Sequence, residues 1–162
     1  GLKIDVGFHA HNNLGMAVAN SIAAVKAGAT ILDTTSRGLG AGAGNCQMEV
    51  VVAVLHKMGI KTGLDLYALM DVSENTITKI MKKPQEISLI TLTSGLAGVF
   101  SGFAPHAEKA SKKFGVDVRN ILIELGRRKV VCGQEDIIVD VTMNLKQKKE
   151  KQDENFQIES LL

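Results

Sequence analysis

A chain of 162 residues, 45% hydrophobic and 22% charged, holds enough apolar material for one globular domain with a small appendage, and is not disordered overall. A net charge of +2, with one Tyr, five Phe and no Trp, argues against a nucleic-acid binder, since both a basic surface and stacking platforms are lacking. Cys46 and Cys132 are isolated in sequence, and neither a secretory signal nor an apolar run of bilayer length is read, so a reducing cytoplasm is the expected compartment.

Leu2 to Phe8 reads as a strand that ends at Gly7-Phe8-His9-Ala10-His11-Asn12-Asn13. Asn12 and Asn13 are good caps for a helix over Leu14 to Ala27, which Gly28 stops. Thr30 to Thr34 is a second short strand, and it leads into Gly38-Leu39-Gly40-Ala41-Gly42-Ala43-Gly44-Asn45 and a helix from Cys46 to Met58. The order β, α, β, α predicts parallel strands joined by crossovers. Apolar residues around most of the second helix predict burial on more than one side.

Beyond Ile60 helices dominate. Asp65 caps a helix carrying Leu66, Leu69, Met70, Ile77 and Ile80, ended by Pro84. Ile87 to Phe100 reads as a loop plus a helix. Pro105 opens a helix that runs to Phe114 and Gly115, and Asp117 caps another that Gly126 stops, with Arg127-Arg128-Lys129 as a basic cap or solvated face. A last helix starts near Gln134 and reaches Leu145. Its apolar face at Ile138, like that at Leu122, serves either a core or a partner. Lys146 to Asn155 is a charge-rich tail expected to fray, with Phe156, Ile158, Leu161 and Leu162 available to dock on a neighbour. The expected division is 1–83, 84–145 and 146–162.

The chemistry concentrates on His9 and His11. Residues two apart on a strand share a face, so the two imidazoles project side by side at a strand end, as metal ligands do. Two histidines hydrogen-bonded beneath a loop are the alternative, and spacing leaves both open. Only eight residues precede His9 and none is an initiator Met, which predicts a portion of a longer protein and further ligands from elsewhere. Asn45 either offers an oxygen to a metal or caps the helix behind it. The glycine run superficially resembles a dinucleotide fingerprint, but no acidic residue ends a following strand at the required distance. Asp33, ending the second strand, is a candidate to support a ligand. Cys46 reads as core; His56 and His106 carry no assignment.

Gly7 to Gly15, Gly38 to Asn45, Gly63-Leu64-Asp65-Leu66-Tyr67 and Gly133-Gln134-Glu135-Asp136 together resemble the 4-hydroxy-2-oxovalerate aldolase family, within the metal-dependent lyase group that includes hydroxymethylglutaryl-CoA lyase and isopropylmalate synthase. The resemblance implies the last two βα units of a (β/α)8 TIM barrel, followed by a mainly helical region that contacts an acylating aldehyde dehydrogenase. It implies a divalent cation, typically Mn²⁺, with His9 and His11 as ligands and Asn45 as a weaker one, and His9 and Phe100 beside the substrate. The implied reaction is retro-aldol cleavage of a 4-hydroxy-2-oxo acid to pyruvate and an aldehyde. The family's Asp ligand, the Arg beside it and its acid–base His match nothing in this chain, so no residue here is assigned the proton transfers and the chain alone is expected to be inactive. Phe100 stands where the family carries a Tyr, which removes a hydroxyl from that position. A non-catalytic module that docks the dehydrogenase is the competing reading, and a CoA-ester lyase using Cys46 is a third. Two strands alone leave barrel edges open, so self-association is expected where nothing covers them.

Overall fold

Alternation along the first apolar run sends Phe8 to one side of the backbone and Gly7 and His9 to the other, and Ile31-Leu32-Asp33 repeats the pattern. In the computed structural model, which describes residues 4–159 and side chains as far as Lys151, these runs form β1 (Gly7–His9) and β2 (Ile31–Asp33). They pair in parallel, Gly7 opposite Ile31, Phe8 opposite Leu32 and His9 opposite Asp33. β1 is shorter than the run from Leu2 suggests: residues 4–6 are not paired as strand, and Leu2 lies outside the described residues.

Helix α1 (Ala17–Lys26) separates the strands in sequence and α2 (Met48–Lys57) follows them, so the unit is α/β with the predicted order. Phe8 and Leu32 pack with Val18, Ile22 and Val25 of α1 and with buried Ala10, Ala17, Cys46, Val51 and Leu55. Burial of α2 is one-sided: Val51, Val52 and Leu55 are buried while Val50 is exposed, which corrects the expectation of burial around most of its circumference. Across the sheet, Ile31, His9 and Asp33 are exposed. α3 (Leu66–Val72) continues through a π-helical turn (Ser73–Ile77) into α4 (Thr78–Ile80). Asp65 caps it as expected, its carboxylate accepting the N–H groups of Tyr67 and Ala68 at 2.9 and 3.1 Å.

Residues from Leu89 onward form a second compact unit. It comprises α5 (Leu89–Ala97), α6 (Ala104–Phe114), α7 (Val118–Arg127) and α8 (Ile137–Glu159), the last including the backbone of the charged stretch. The docking expected of Phe156, Ile158, Leu161 and Leu162 falls outside the described side chains. Phe103, Ile121, Leu122, Leu125, Ile138 and Val141 are almost wholly buried, so the apolar faces at Leu122 and Ile138 are core rather than free surface. Gly115, with φ 68°, ends α6 in the left-handed conformation that glycine adopts without penalty.

Gly126 does something other than end a helix. α7 runs through it to Arg127, and the left-handed residue is Lys129, with φ 54°. A Cβ on Gly126 would stand 2.2 Å from the Ala97 carbonyl oxygen, so the missing side chain is what allows α7 to lie against the end of α5. Arg128 reaches back to Glu124 at 3.0 Å on the exposed side of the same turn.

Gly126→Ala is therefore expected to destabilise the second unit by about 1–3 kcal/mol through overpacking, measured as a lowered denaturation midpoint. Asp117 caps α7, and its hydrogen bonds from the Arg119 side chain and backbone hold its carboxyl down at about 2. A depressed carboxyl stabilises the fold fully above its ordinary range, and that share is lost as pH falls towards 2. Acid titration of the parent chain should show this step, and that of Asp117→Asn should lack it.

Candidate functional site

Parallel pairing in this register makes His9 and Asp33 cross-strand neighbours on the bare face of the sheet. His9 Nδ1 lies 3.0 Å from Asp33 Oδ2. An ionised carboxylate only accepts, so the ring nitrogen facing it carries the proton, which leaves the Nε2 lone pair of the neutral ring free to bind. His11 stands beside it, the ring centroids 4.8 Å apart and the planes at 82°. Metal-binding histidines are commonly oriented by just such a carboxylate on the other ring nitrogen, so the Asp33 contact fits a ligand role for His9.

The glycine-rich loop folds back onto this strand end. The Asn12 N–H donates to Gly44 O at 2.8 Å, the Cys46 N–H to Ala10 O at 3.0 Å, and His11 and Asn45 form a short antiparallel bridge. Asn13, predicted as a helix cap, instead turns its side-chain oxygen to the Ala43 N–H at 2.9 Å and ties the loop down; Asn12 accepts from Ala17 N–H at 3.2 Å at the start of α1. Asn45 does not cap α2, whose flanking residue is Gln47. Its Nδ2 donates to Leu39 O at 3.3 Å, while Oδ1 is buried with no hydrogen-bond partner among the described residues. A buried amide oxygen left without a donor is costly, and a cation is one partner that would satisfy it.

Two imidazole nitrogens and an amide oxygen suit a divalent metal in kind, but they are neutral and few. Among the described residues no group of three His, Cys, Asp or Glu side chains could hold an ion unaided. Cys46 is fully buried two residues before α2, and burial pushes its thiol up despite an opposing hydrogen bond with Ser21, while Glu49 adds to the rise. A thiol so placed is a poor nucleophile, which weighs against the CoA-ester reading. His56 and His106 are exposed on α2 and α6. Phe100 belongs to the second unit, just before Ser101, with its half-exposed ring edge-on to Phe103 at 5.9 Å. One contributor went unread in the sequence: Glu49, whose carboxylate accepts the Arg37 N–H. Its place in the first turn of α2 is an ordinary one for an acid, so the pattern carries no further signal.

Residues 2–76 match the HMGL-like family model, and residues 85–147 match the DmpG-like communication domain. The chain is 57% identical over 147 residues to 4-hydroxy-2-oxovalerate aldolase of Brevibacillus brevis, covering 91% of this chain and 43% of that protein. It is 55% identical over 148 residues to the enzyme of that name from Geobacillus thermodenitrificans, covering 91% and 43%. For that of Carboxydothermus hydrogenoformans the identity is 57% over 144 residues, covering 89% and 43%. The chain thus spans under half the length of these curated relatives. A crystal structure of the N-terminal domain of a Bacteroides vulgatus protein described as an aldolase is similar in fold, with a TM-score of 0.56 and 32% identity over 64% of this chain and 34% of that one. No helix among the described residues is long and apolar enough to cross a membrane.

The proton placement on His9 is directly observable. ¹⁵N spectra of the imidazole should show Nδ1 protonated and Nε2 bare in the parent chain, and a mixture of tautomers in Asp33→Ala. An unchanged tautomer in the variant would remove Asp33 as the orienting group.

Proposed function

We propose that the chain is part of a 4-hydroxy-2-oxovalerate aldolase and supplies the two-histidine part of a divalent-metal site for retro-aldol cleavage of 4-hydroxy-2-oxo acids to pyruvate and an aldehyde. The observation that carries this is the His9–Asp33 contact beside His11, at the end of a parallel strand pair faced by the glycine loop. β1 and β2 are read as the last two strands of a (β/α)8 barrel, whose chemistry sits at the carboxyl ends of its strands. The bare face carrying His9 and Asp33 is then the side turned to the barrel interior.

His9 and His11 would hold the metal through ring nitrogens, with Asn45 Oδ1 as a weaker third contact. When bound, a divalent cation, Mn²⁺ in this reading, supplies Lewis-acid stabilisation of the negative charge that develops on the pyruvate part as the carbon–carbon bond breaks. Asp33 accepts from Nδ1–H of His9 and so leaves Nε2 as the coordinating nitrogen of the neutral ring. Asn13 and the Gly44 carbonyl hold the glycine loop against this strand end. Among the described residues no side chain is assigned to take the proton of a substrate hydroxyl; in this reading that group and a carboxylate ligand come from the part of the relatives' length that this chain does not span. The chain alone is accordingly proposed to bind metal weakly and to lack activity.

The second unit carries a second proposed role, favoured by the match of residues 85–147 to a communication domain. It is read as the part that contacts an acylating aldehyde dehydrogenase, which would consume the aldehyde released. Phe100 stands where the resemblance places a tyrosine and offers no hydroxyl to donate, so preference among 4-hydroxy-2-oxo acids is proposed to differ from that of Tyr-bearing relatives.

Calorimetric titration of the chain with Mn²⁺ should give weak binding that is abolished in His9→Ala/His11→Ala and reduced by about ten- to hundredfold in Asp33→Ala. Binding that survives the double substitution would place the ion elsewhere and remove the site.

A further inference from the structure

Arg37 is held in the left-handed backbone conformation, φ 54° and ψ 19°, whereas every other left-handed residue described in the first unit is a glycine. A residue with a Cβ stays there only where its neighbours impose it. Glu49 does so from the first turn of α2. Its Oε1 and Oε2 accept the Arg37 N–H at 2.9 and 3.2 Å, and Oε1 also accepts the Ser73 hydroxyl at 3.1 Å, fixing the carboxylate from a second element. The Arg37 guanidinium reaches Glu74, one residue beyond Ser73, at 2.9 Å.

The bend at Arg37 delivers the two carbonyls that hold Asn45. Gly38 O accepts the Asn45 N–H at 2.9 Å, and Leu39 O accepts from Asn45 Nδ2 at 3.3 Å. The approach is close enough that a Cβ on Gly38 would stand 2.9 Å from Asn45 O, and one on Gly40 would stand 2.6 Å from Asn45 Nδ2. With Nδ2 engaged by Leu39, the amide has only one orientation, and Oδ1 is the atom left over. We propose that Glu49 is a positioning residue for Asn45: by clamping the Arg37 N–H it sets the left-handed bend whose following carbonyls orient the Asn45 amide, leaving Oδ1 for a divalent cation shared with His9 and His11. This rests on the metal reading above, and it adds to it a residue that touches neither metal nor substrate.

The bend also supplies the test. Glycine adopts the left-handed conformation without a clamp, so Arg37→Gly should make Glu49 dispensable for the loop while doing nothing for any packing that Glu49 provides to α2. On the full chain, Mn²⁺ affinity by calorimetry and metal-free hydrogen exchange of the Asn45 amide are read together. Glu49→Ala should weaken Mn²⁺ binding by about tenfold or more and speed exchange at Asn45. Glu49→Gln, which keeps one acceptor, should fall between, and Glu49→Ala/Arg37→Gly should recover both. If Glu49→Ala folds poorly, Glu49→Gln against Glu49→Gln/Arg37→Gly carries the same comparison. Unchanged affinity in the Glu49 variants, or a loss that Arg37→Gly fails to restore, overturns the clamp. A parent chain that binds no Mn²⁺ at all defeats the metal reading itself, and the purpose assigned to the clamp falls with it, whatever the exchange shows.

Discussion

The parallel pairing of Gly7–His9 with Ile31–Asp33 is the constraint on which the candidate site depends. Phe8 and Leu32 must both face the helices to join the core with Val51 and Leu55, and that demand fixes the register of two very short strands. Because side chains alternate, the same register places His9 opposite Asp33 on the other face. A slip of one residue in β1 would turn His9 to the core and expose Phe8, losing both the packing and the imidazole–carboxylate contact. Hydrophobic burial on one face therefore sets an electrostatic arrangement on the other, without any interaction dedicated to the site.

The loop that closes over this strand end is held differently. It has little core of its own and is defined by individual hydrogen bonds: Asn13 to Ala43, Asn12 to Gly44, Gly38 to Asn45 and Glu49 to Arg37. Irregular backbone specified in this way needs glycine where chains meet closely, as at Gly44, where a Cβ would stand 2.1 Å from Gly38 O. It also tolerates one non-glycine residue in a left-handed bend when a carboxylate holds it there. Backbone strain and an unpartnered buried amide oxygen occur within the same few residues, which is where functional demands usually override local preference.

Much of this was legible in the sequence. The His-x-His at a strand end, the β, α, β, α order and the caps at Asp65 and Asp117 follow from alternation, helical spacing and capping chemistry, and each has a counterpart in the structure. Asp33 was visible as a strand-end carboxylate, although its partner could be named only once the register was known. What was not legible depended on contacts distant in sequence. Asn13 looks like a cap because caps are local, yet its oxygen serves Ala43, thirty positions on. Gly126 looks like a stop because glycine often is one, yet its role is set by Ala97 on another helix. Glu49 looks like any acid in a first turn, and only the bend at Arg37 distinguishes it. The apolar faces at Leu122 and Ile138 fitted a core and a docking surface equally well until the packing of four helices assigned them to the core.

The central claim is that His9 and His11 bind one ion together. Pulsed electron paramagnetic resonance of Mn²⁺ added to an excess of the chain carrying ¹⁵N-labelled histidine addresses it without any assay of activity. Coupling to two imidazole nitrogens in the parent chain, falling to one in His11→Ala, is the predicted result. A signal of fully hydrated Mn²⁺ with no nitrogen coupling would contradict it and leave the two rings as a hydrogen-bonded pair at the end of a strand.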